Sequence, residues 1–299
     1  MITDRLIPMG SKSFTHRVYL RGGLGNILFQ LAMARMVSLK NGGKVEVVDR
    51  FTNATSDNGS VEAMLFLCKQ FDFKIASGSL RWHSIELVRQ LFVGRRILLE
   101  TNYQRRMSAL ASKGKPWAIS GYFKNYGSLQ DAVDEVALHM RHFLQIKPLN
   151  LGEEFIGLHI RLGDYGKFES IYGKLPAGYY QSAIHEIRDE HCASPLLIKL
   201  VSNDRKGALD FAVSFLDPAE FELAPARNTS IDDLRLLAQA SFIVAPNSTF
   251  SWWAAQIGGA KKIFIPHPFL LDAKKDSRID LGARNSQFLS RDSRGWAEQ

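Results

Sequence analysis

Apolar positions in the first 50 residues alternate between a short run and a longer stretch with helical spacing. Residues 16–20 predict a strand that leads into a glycine-rich turn. Residues 27–40 carry apolar side chains three or four positions apart and stop at Asn41-Gly42-Gly43, which is typical of a helix end. Residues 44–48 predict the next strand. This β-α-β order favours parallel strand pairing.

The same alternation resumes after Pro148, whereas residues 61–115 are mixed and their elements are not assigned an order. The predicted strands are 155–160, 196–202, 221–223, 242–245 and 262–265. The predicted helices are 178–191, 206–215, 231–240 and one that starts near Ser251. We therefore expect an α/β protein of two doubly wound, Rossmann-like halves, residues 1–147 and 148–299, that face a cleft.

Composition and cysteine usage narrow the protein class. Of the 299 residues, 45% are hydrophobic and 23% are charged, as in soluble globular proteins. No uninterrupted apolar run approaches the roughly 20 residues that span a bilayer, and the first ten residues do not resemble a secretory signal. Cys68 and Cys192 are far apart and form no CxxC motif. A cytoplasmic location is the expectation.

The formal net charge of +8 favours anionic partners. Its basic residues are scattered in pairs, such as Arg95-Arg96 and Lys274-Lys275, and not in tracts. Solvated surfaces are therefore the favoured interpretation over nucleic-acid binding, and we expect no nucleic-acid partner. A phosphorylated ligand or an anionic membrane surface remains compatible with the charge.

Polar residues cluster directly after the apolar strand 155–160. His159, Arg161 and Asp164 follow one another at its carboxyl end, which is the edge where open α/β sheets bind ligands. Arg161 has the planar geometry that clamps a phosphate through two parallel hydrogen bonds. A solvated strand end is an equal alternative when this segment is taken alone.

The glycine-rich segment 22–26 joins a predicted strand to a predicted helix. Gly23 and Gly25 begin a GxGxxG pattern, but Leu28 occupies the position of the last glycine. This disfavours an NAD-dependent oxidoreductase, and no Walker loop is present in the sequence. The glycines still allow a ligand to approach a helix N-terminus, where free N–H groups attract anions. A tight structural turn is the alternative.

Two further strand ends carry polar side chains. Asp204, after strand 196–202, has the geometry either to accept two hydrogen bonds from a guanine edge or to cap the next helix, and capping is favoured. The segment 247–255 places the hydroxyls of Ser248, Thr249 and Ser251 at a helix start, which suits an anion. Of its adjacent Trp252 and Trp253, we expect one in the core and one at the cleft. A capped helix with a core aromatic is the alternative.

Metal-ion chemistry is not expected. His139 and His142 lie on one predicted helical face without a third ligand nearby in sequence. The sequence has no Asp-x-Asp motif to hold a divalent ion on a diphosphate and no GxSxG motif.

Taken together, these motifs resemble the bacterial α-1,2-fucosyltransferases of glycosyltransferase family 11, and the resemblance covers residues 22–266. The family patterns GGLGNQLFQ, HxRRGDY, LPxxYY, SDD, DDL and NSSFSWWGA are similar to residues 22–30, 159–165, 175–180, 202–204, 232–234 and 247–255. Departures are Ile27 for Gln, Leu162 for the second Arg, Asn203 for the first Asp and Ala254 for Gly. Leu162 removes a cation expected near the donor, with Lys167 or Arg205 as substitutes.

The resemblance implies a GT-B-like fold and inverting transfer of L-fucose from GDP-β-L-fucose to the 2-hydroxyl of a terminal β-galactoside. The donor is a substrate, and neither a cofactor nor a metal is implied. The implied donor-binding residues are Gly23, Gly25, Asn26, His159, Arg161, Asp204, Asn247, Ser248, Thr249 and Ser251. Arg161 would contact the β-phosphate, and His159 and Asp204 the guanosine. The implied general base is Asp164 or Glu169, unless proton loss lags behind C–O cleavage and no base is needed.

The resemblance also implies a role in O-antigen or other surface-glycan synthesis, with a lipid-linked acceptor and peripheral contact with the inner membrane. Two alternatives stay open. One is another fucosyltransferase linkage, α-1,6 or protein O-fucosyl, which the GGLGN opening and the double Trp disfavour. The other is a catalytically silent nucleotide-sugar or glycan-binding protein, which the changes at Leu162 and Asn203 allow.

Overall fold

The computed structural model describes residues 14–49, 58–77, 90–91, 95–103, 106, 110, 114–147, 153–162, 169–191, 196–226 and 228–291. The strands are β1 (Thr15–Tyr19), β2 (Lys44–Asp49), β3 (Lys74–Ser77), β4 (Arg96–Leu99), β5 (Trp117–Ser120), β6 (Phe155–His159), β7 (Leu197–Val201), β8 (Phe221–Leu223), β9 (Phe242–Val244), β10 (Lys262–His267) and β11 (Ser286–Ser290). The helices are α1 (Leu24–Asn41), α2 (Asn58–Gln70), α3 (Tyr126–Leu144), α4 (Glu169–Tyr172), α5 (Ala177–Glu190), α6 (Arg205–Ala212), α7 (Ser230–Ala238), α8 (Thr249–Gly258) and α9 (Ala273–Asp276).

The strands form two sheets whose neighbouring strands run parallel. The first has the order β3-β2-β1-β5-β4, and the second has the order β11-β10-β9-β6-β7-β8. In the first sheet Val18 lies beside Val47 and Ile119. In the second, Leu158 lies beside Leu200 and Val244. Because the strands of each sheet are parallel, the loops that follow them collect at one edge of that sheet.

Strand β6, in the interior of the second sheet, is almost entirely apolar because helices cover both faces of that sheet. All five residues of β6 are buried. At Gly157 an added Cβ would lie 2.9 Å from Ala240 Cβ and 3.0 Å from Leu237 Cδ2, so α7 packs directly against the strand. Across the sheet, the buried hydroxyl of Tyr179 in α5 donates to the carbonyl oxygen of Ala245 at 2.7 Å.

Helices α1, α3 and α8 join the two halves in one apolar cluster. This cluster contains Leu28 of α1, Val133 of α3 and Ile257 of α8. The ring of Phe29 stacks on Trp252 and meets Trp253 edge-on, with both centroid separations 5.0 Å. The expectation that one of these two tryptophans lines the cleft is wrong. Both are buried, because α8 is surrounded by α1, α3 and α7 and has no solvent-facing side there.

The α/β class and the alternation of elements are confirmed, with the predicted strands and helices displaced by a few residues. Helix α1 begins at Leu24, three residues before its apolar spacing becomes regular. Strands β3, β4, β5 and β11 and helices α2, α4 and α9 are not predicted from the sequence, and of α3 only the turn with His139 and His142 is. The proposed boundary at 147/148 adjoins residues 148–152, which lie outside the described residues, and it stays a prediction.

Candidate functional site

The carboxyl edges of the two sheets line a common cleft. Its first pocket, of about 510 Å³, takes residues from the ends of β1, β4 and β5 in one half and of β6 and β9 in the other. The pocket is lined by Gly22, Gly23, Asn26, Glu100, Tyr122, Lys124, Arg161, Ile171, Tyr172, Asn247, Ser248, Thr249, Leu270, Lys275, Arg278 and Ile279. A ligand in this pocket would therefore touch both halves.

The N-terminus of α1 opens into this pocket. Gly22 has a positive φ of 80°, which turns the chain sharply after β1. Gly23 is the N-cap residue and provides no side-chain cap, and the first turn has no acidic residue. The N–H groups of Asn26 and Ile27 donate to the Gly23 carbonyl oxygen, and the helix dipole favours an anion near the N–H groups that precede them.

The N-terminus of α8 meets the same pocket beside α1. Ser248 is its N-cap, and the Ser248 hydroxyl accepts a hydrogen bond from the backbone N–H of Phe250 at 3.3 Å. Thr249 Oγ1 donates to Asn26 Oδ1 at 3.3 Å, which ties the two helix starts together. At Gly25 an added Cβ would lie 2.6 Å from Phe250 N. Glycine at this position therefore lets the two N-termini approach each other.

Lys275 and Arg278 line the pocket, and two further cations, Arg161 and Lys124, lie at strand ends. Arg161, at the end of β6, points its Nη1 at Ser248 Oγ, 3.5 Å away. Lys124 follows β5 and is only 7% exposed, yet it lines the pocket. Among the described residues its ammonium forms no hydrogen bond or ion pair. Burial, opposed by Glu100 and assisted by Arg161 and Arg21, lowers the pKa of Lys124 to about 8.

The loop between β5 and α3 places Lys124. Phe123 adopts a positive φ of 53°, a costly conformation for a side chain of its size, and its own side chain is buried. Asn125 then caps α3 by accepting a hydrogen bond from Ser128 N at 2.9 Å. Asp280 N donates to the Lys124 carbonyl oxygen at 2.8 Å, which links this loop to the second half.

Glu100 supplies the one carboxylate that the described residues contribute to the first pocket. It follows β4 directly, at the carboxyl edge of the first sheet. Its Oε2 accepts a hydrogen bond from Tyr122 N at 3.1 Å and lies 3.9 Å from Arg21 Nη2. The Arg21 guanidinium is stacked over the ring of Tyr122, 4.4 Å from its centroid.

A second pocket, of about 430 Å³, adjoins the first at Gly22, Gly23 and Arg161. Its other lining residues come from the ends of β6 and β7 and the starts of α1, α2 and α7, together with α8: Leu24, Ser60, His159, Val201, Ser202, Asn203, Ser230, Asp233 and Phe250. His159 is buried, and its Nδ1 makes a short hydrogen bond with the hydroxyl of Ser251. The pocket combines an apolar wall with an imidazole, an amide and a carboxylate.

Most of the residues singled out from the sequence line these two pockets. Gly23 and Arg161 line both pockets. The first also contains Asn26, Asn247, Ser248 and Thr249, and the second contains His159. Ligand contacts for these residues stay predictions.

Four of the expected site residues are placed differently, and a fifth is not among the described residues. Gly25 is buried between α1 and α8, and Ser251 is buried against His159. Asp204 is the N-cap of α6, where its carboxylate accepts a hydrogen bond from Gly207 N at 3.0 Å, as the capping interpretation predicts. Glu169 starts α4, is exposed and lies 3.8 Å from Lys174 Nζ. Asp164 lies outside the described residues.

Leu162, in the position of the family's second arginine, faces a third pocket of about 400 Å³. There it packs near Leu175, Tyr180 and Phe211 and does not line the first pocket. The third pocket shares Arg161 and Asn247 with the first, and the expected loss of a cation near the donor stays a prediction. Of the two proposed substitutes, Arg205 does not line the three pockets, and Lys167 lies outside the described residues.

Five charged residues of the first two pockets carry no expected role from the sequence: Glu100, Lys124, Asp233, Lys275 and Arg278. Asp233 was noted only as part of the acidic start of a helix. Glu100 and Lys124 follow strands β4 and β5, which were not assigned. A polar residue at the carboxyl end of a predicted strand is the signal that would have found them.

No group of three or more His, Cys, Asp or Glu side chains among the described residues is placed to hold a metal ion. None of the helices described is both long enough and apolar enough to cross a bilayer.

Comparisons with known proteins place the chain among glycosyltransferases. Residues 99–286 match the family model Glycosyl transferase family 11. Galactoside alpha-(1,2)-fucosyltransferase 1 of Mus musculus is 25% identical over 153 residues, which are 49% of this chain and 40% of the mouse protein. The Rattus norvegicus protein of that name is 24% identical over the same shares. The alignment thus spans less than half the length of these curated relatives.

Among solved structures, fucosyltransferase NodZ from Bradyrhizobium matches with a TM-score of 0.50 and 15% identity, covering 85% of this chain and 94% of NodZ. The E. coli heptosyltransferase WaaC with ADP matches with a TM-score of 0.48 and 14% identity, covering 93% of each chain. At such identity the likeness to NodZ concerns the fold. The predicted GT-B-like architecture, two facing parallel α/β halves, is confirmed.

Proposed function

The chain belongs to glycosyl transferase family 11, and from that premise we propose that it transfers L-fucose from GDP-β-L-fucose to the 2-hydroxyl of a terminal β-galactoside. The transfer inverts the anomeric carbon and gives an α-1,2 linkage. The relatives named for this activity are galactoside α-1,2-fucosyltransferases, which supports the choice of donor, acceptor and linkage.

The observation that carries the proposal is the convergence of positive electrostatic groups on the first pocket. The N-termini of α1 and α8, Arg161 and the buried Lys124 all meet there. Each of these features attracts an anion separately, and together they match a ligand with several negative charges. The oxygens of a diphosphate in this pocket would accept the hydrogen bonds that water cannot accept from the buried ammonium.

The second pocket supports the nucleoside part of the donor. It adjoins the first at Gly23 and Arg161, so that a diphosphate and the nucleoside attached to it would extend from one pocket into the other. Asp233 places a carboxylate there, which has the geometry to accept two parallel hydrogen bonds from the N–H groups of a guanine edge. We assign the guanine contact to Asp233, whose carboxylate lines this pocket and also accepts a hydrogen bond from Asn228 Nδ2 at 3.0 Å, whereas Asp204 does not line the pocket.

The charges of the first pocket fit the demands of the transfer. As the bond from the fucose anomeric carbon to the β-phosphate oxygen breaks, GDP takes the electron pair and gains negative charge. Arg161, Lys124 and the two helix N-termini would stabilise that charge while the sugar develops positive charge. Loss of one such donor typically lowers the rate about 10²–10³-fold. With this set of cations the proposed reaction needs no divalent metal.

The acceptor would enter from the first half of the chain, where Glu100 and Tyr122 line the pocket. The biological role we propose is synthesis of O-antigen or another surface glycan from a lipid-linked acceptor. The protein would act in the cytoplasm with peripheral contact to the inner membrane, where the net charge of +8 favours anionic lipids.

The test is transfer from GDP-fucose to a panel of β-galactosides in the presence of EDTA, with the linkage determined by NMR. The proposal expects an α-1,2-fucosylated galactose at an undiminished rate. An α-1,6 product would reassign the linkage. Absence of product, with GDP still bound, would favour a binding protein, and loss of activity in EDTA would contradict metal independence.

Arg161→Ala provides the variant arm of this test. It should lower transfer at least about 100-fold, because a charge-assisted contact to the leaving group is lost. Lys69→Ala, which removes one positive charge from the exposed end of α2, is the matched control. Near-normal transfer by Arg161→Ala would remove this residue from the mechanism.

A further inference from the structure

We propose that Glu100 is the catalytic base of the transfer, an inference that rests on the proposed function. Its carboxylate lines the same pocket as Arg161 and the two helix N-termini, but it comes from the opposite half of the chain. The base would thus reach the acceptor hydroxyl on the acceptor side of the anomeric carbon, while the leaving group is held by the second half.

The local geometry leaves one oxygen of Glu100 available. Oε2 accepts the hydrogen bond from Tyr122 N and faces Arg21, whereas Oε1 accepts no hydrogen bond from the described residues. Glu100 directly follows Leu99, the last residue of β4, and this holds the carboxylate at the carboxyl edge of the sheet. A carboxylate anchored through one oxygen presents the other at a defined place, as a base must.

The other candidate groups fit this role less well. Glu169 is exposed, pairs with Lys174 and does not line the three pockets. Lys124 is surrounded by a cationic surface that would receive the diphosphate, and a bound anion favours its protonated form, which cannot accept a proton. His159 is committed to Ser251 in the second pocket.

The step balances without a further reactant. An oxygen lone pair of the acceptor hydroxyl attacks the anomeric carbon of fucose, and a new C–O bond forms as the bond to the β-phosphate breaks with its electron pair moving to GDP. The hydroxyl proton passes to Glu100, which later releases it to water. The products are the fucosylated sugar, GDP and one proton.

The experiment compares a sugar acceptor with azide, a nucleophile that carries no proton. Glu100→Gln keeps the size of the side chain and retains an oxygen for the Tyr122 N–H. We expect transfer to the galactoside to fall at least about 100-fold, as is typical when a general base is removed. Formation of α-L-fucosyl azide and the dissociation constant for GDP should stay within about threefold of wild type. Glu62→Gln, an exposed carboxylate on α2, is the matched control.

The results distinguish a catalytic base at Glu100 from a structural role of this residue. Full transfer by Glu100→Gln, or equal loss of sugar and azide products, would overturn the assignment, the latter because a structural role affects both nucleophiles. Asp164→Asn and Glu169→Gln, measured alongside, would overturn it if either alone showed the azide-rescued loss. A wild-type protein that forms neither product would instead refute the proposed function, and the base with it.

Discussion

Lys124 carries a positive charge into the interior of the cleft, where little water reaches it. Burial lowers the pKa of Lys124 to about 8, although Glu100 opposes the shift. Among the described residues no ion pair with the ammonium offsets the loss of hydration. Burying the charged lysine lowers the free energy of unfolding, and a bound anion would offset that loss. The residue thus links protein stability to ligand binding.

At the residue scale, we predict that Lys124→Gln raises the dissociation constant for GDP about 10–100-fold at pH 7, since hydrogen bonds to charged groups contribute about 1.5–3 kcal/mol.

In wild type the Lys124 ammonium is present below about pH 8 and is lost as the pH rises through 8. GDP affinity should therefore fall between pH 7 and pH 9 in titration calorimetry. Lys124→Arg stays charged and should show a flatter profile, while Lys69→Gln controls for net charge. An identical profile in wild type and Lys124→Arg would contradict the prediction.

The same pKa has the opposite consequence for the ligand-free fold. Unfolded Lys124 keeps its proton up to about 10.5, whereas the folded form releases it near 8. The burial cost is therefore present below pH 8 and is relieved as the pH rises toward 10.5. We predict that Lys124→Gln is more stable than wild type in urea unfolding at pH 7, and that the difference narrows at pH 9.5. A difference that does not depend on pH would rule out this origin.

At the scale of single elements, Asp204 stabilises α6 through its N-cap hydrogen bond to Gly207. We predict that Asp204→Ala lowers the free energy of unfolding by about 1 kcal/mol, while Asp204→Asn retains most of it because asparagine caps equally well. Neither change should move GDP affinity more than about threefold. If both variants bound GDP at least tenfold more weakly, Asp204 would be a guanine contact as well as a cap.

The contact between α1 and α8 depends on Gly25. Alanine is the better helix former by about 1 kcal/mol, but its Cβ would lie 2.6 Å from Phe250 N and 2.7 Å from the Thr249 carbonyl carbon. Backbone atoms cannot move aside cheaply, so we predict a net loss of about 1–3 kcal/mol. Thermal unfolding should show Gly25→Ala several degrees below Gly23→Ala, where a Cβ meets no atom within 4 Å. Equal melting temperatures would show that the helices can shift apart.

At the scale of the whole molecule, the two sheets share the apolar cluster formed by α1, α3 and α8. We predict that the halves unfold in one transition, with the same urea midpoint by circular dichroism and by tryptophan fluorescence. Trp117 lies in the first half, and Trp252 and Trp253 lie in the second, so fluorescence samples both. GDP at 100 times its dissociation constant should add about 2.7 kcal/mol to the single transition. Two separate transitions would show that the halves are independent.

Sequence alone determined the parts of this protein that depend on neighbours along the chain. Apolar periodicity predicted most strands of the second sheet and the first β-α-β unit, because strand and helix patterns are local. The polar residues that follow those strands, including Arg161, His159 and Ser248, were found for the same reason. Asp204 was correctly interpreted as a cap, since capping involves residues three positions apart.

Tertiary structure alone decided which of these groups share a pocket. Glu100 and Lys124 reach Arg161 only because β4 and β5 pair beside β1 and the two sheets face each other. The burial of both tryptophans, and the use of Ser251 and Gly25 in packing, depend on where α1 and α3 lie against α8. The contacts of Ser251 with His159 and of Gly25 with Phe250 join residues more than 90 positions apart, and no local pattern records them. The physical reason is that long-range packing, and not residue spacing, sets which side of a helix or strand end faces the cleft.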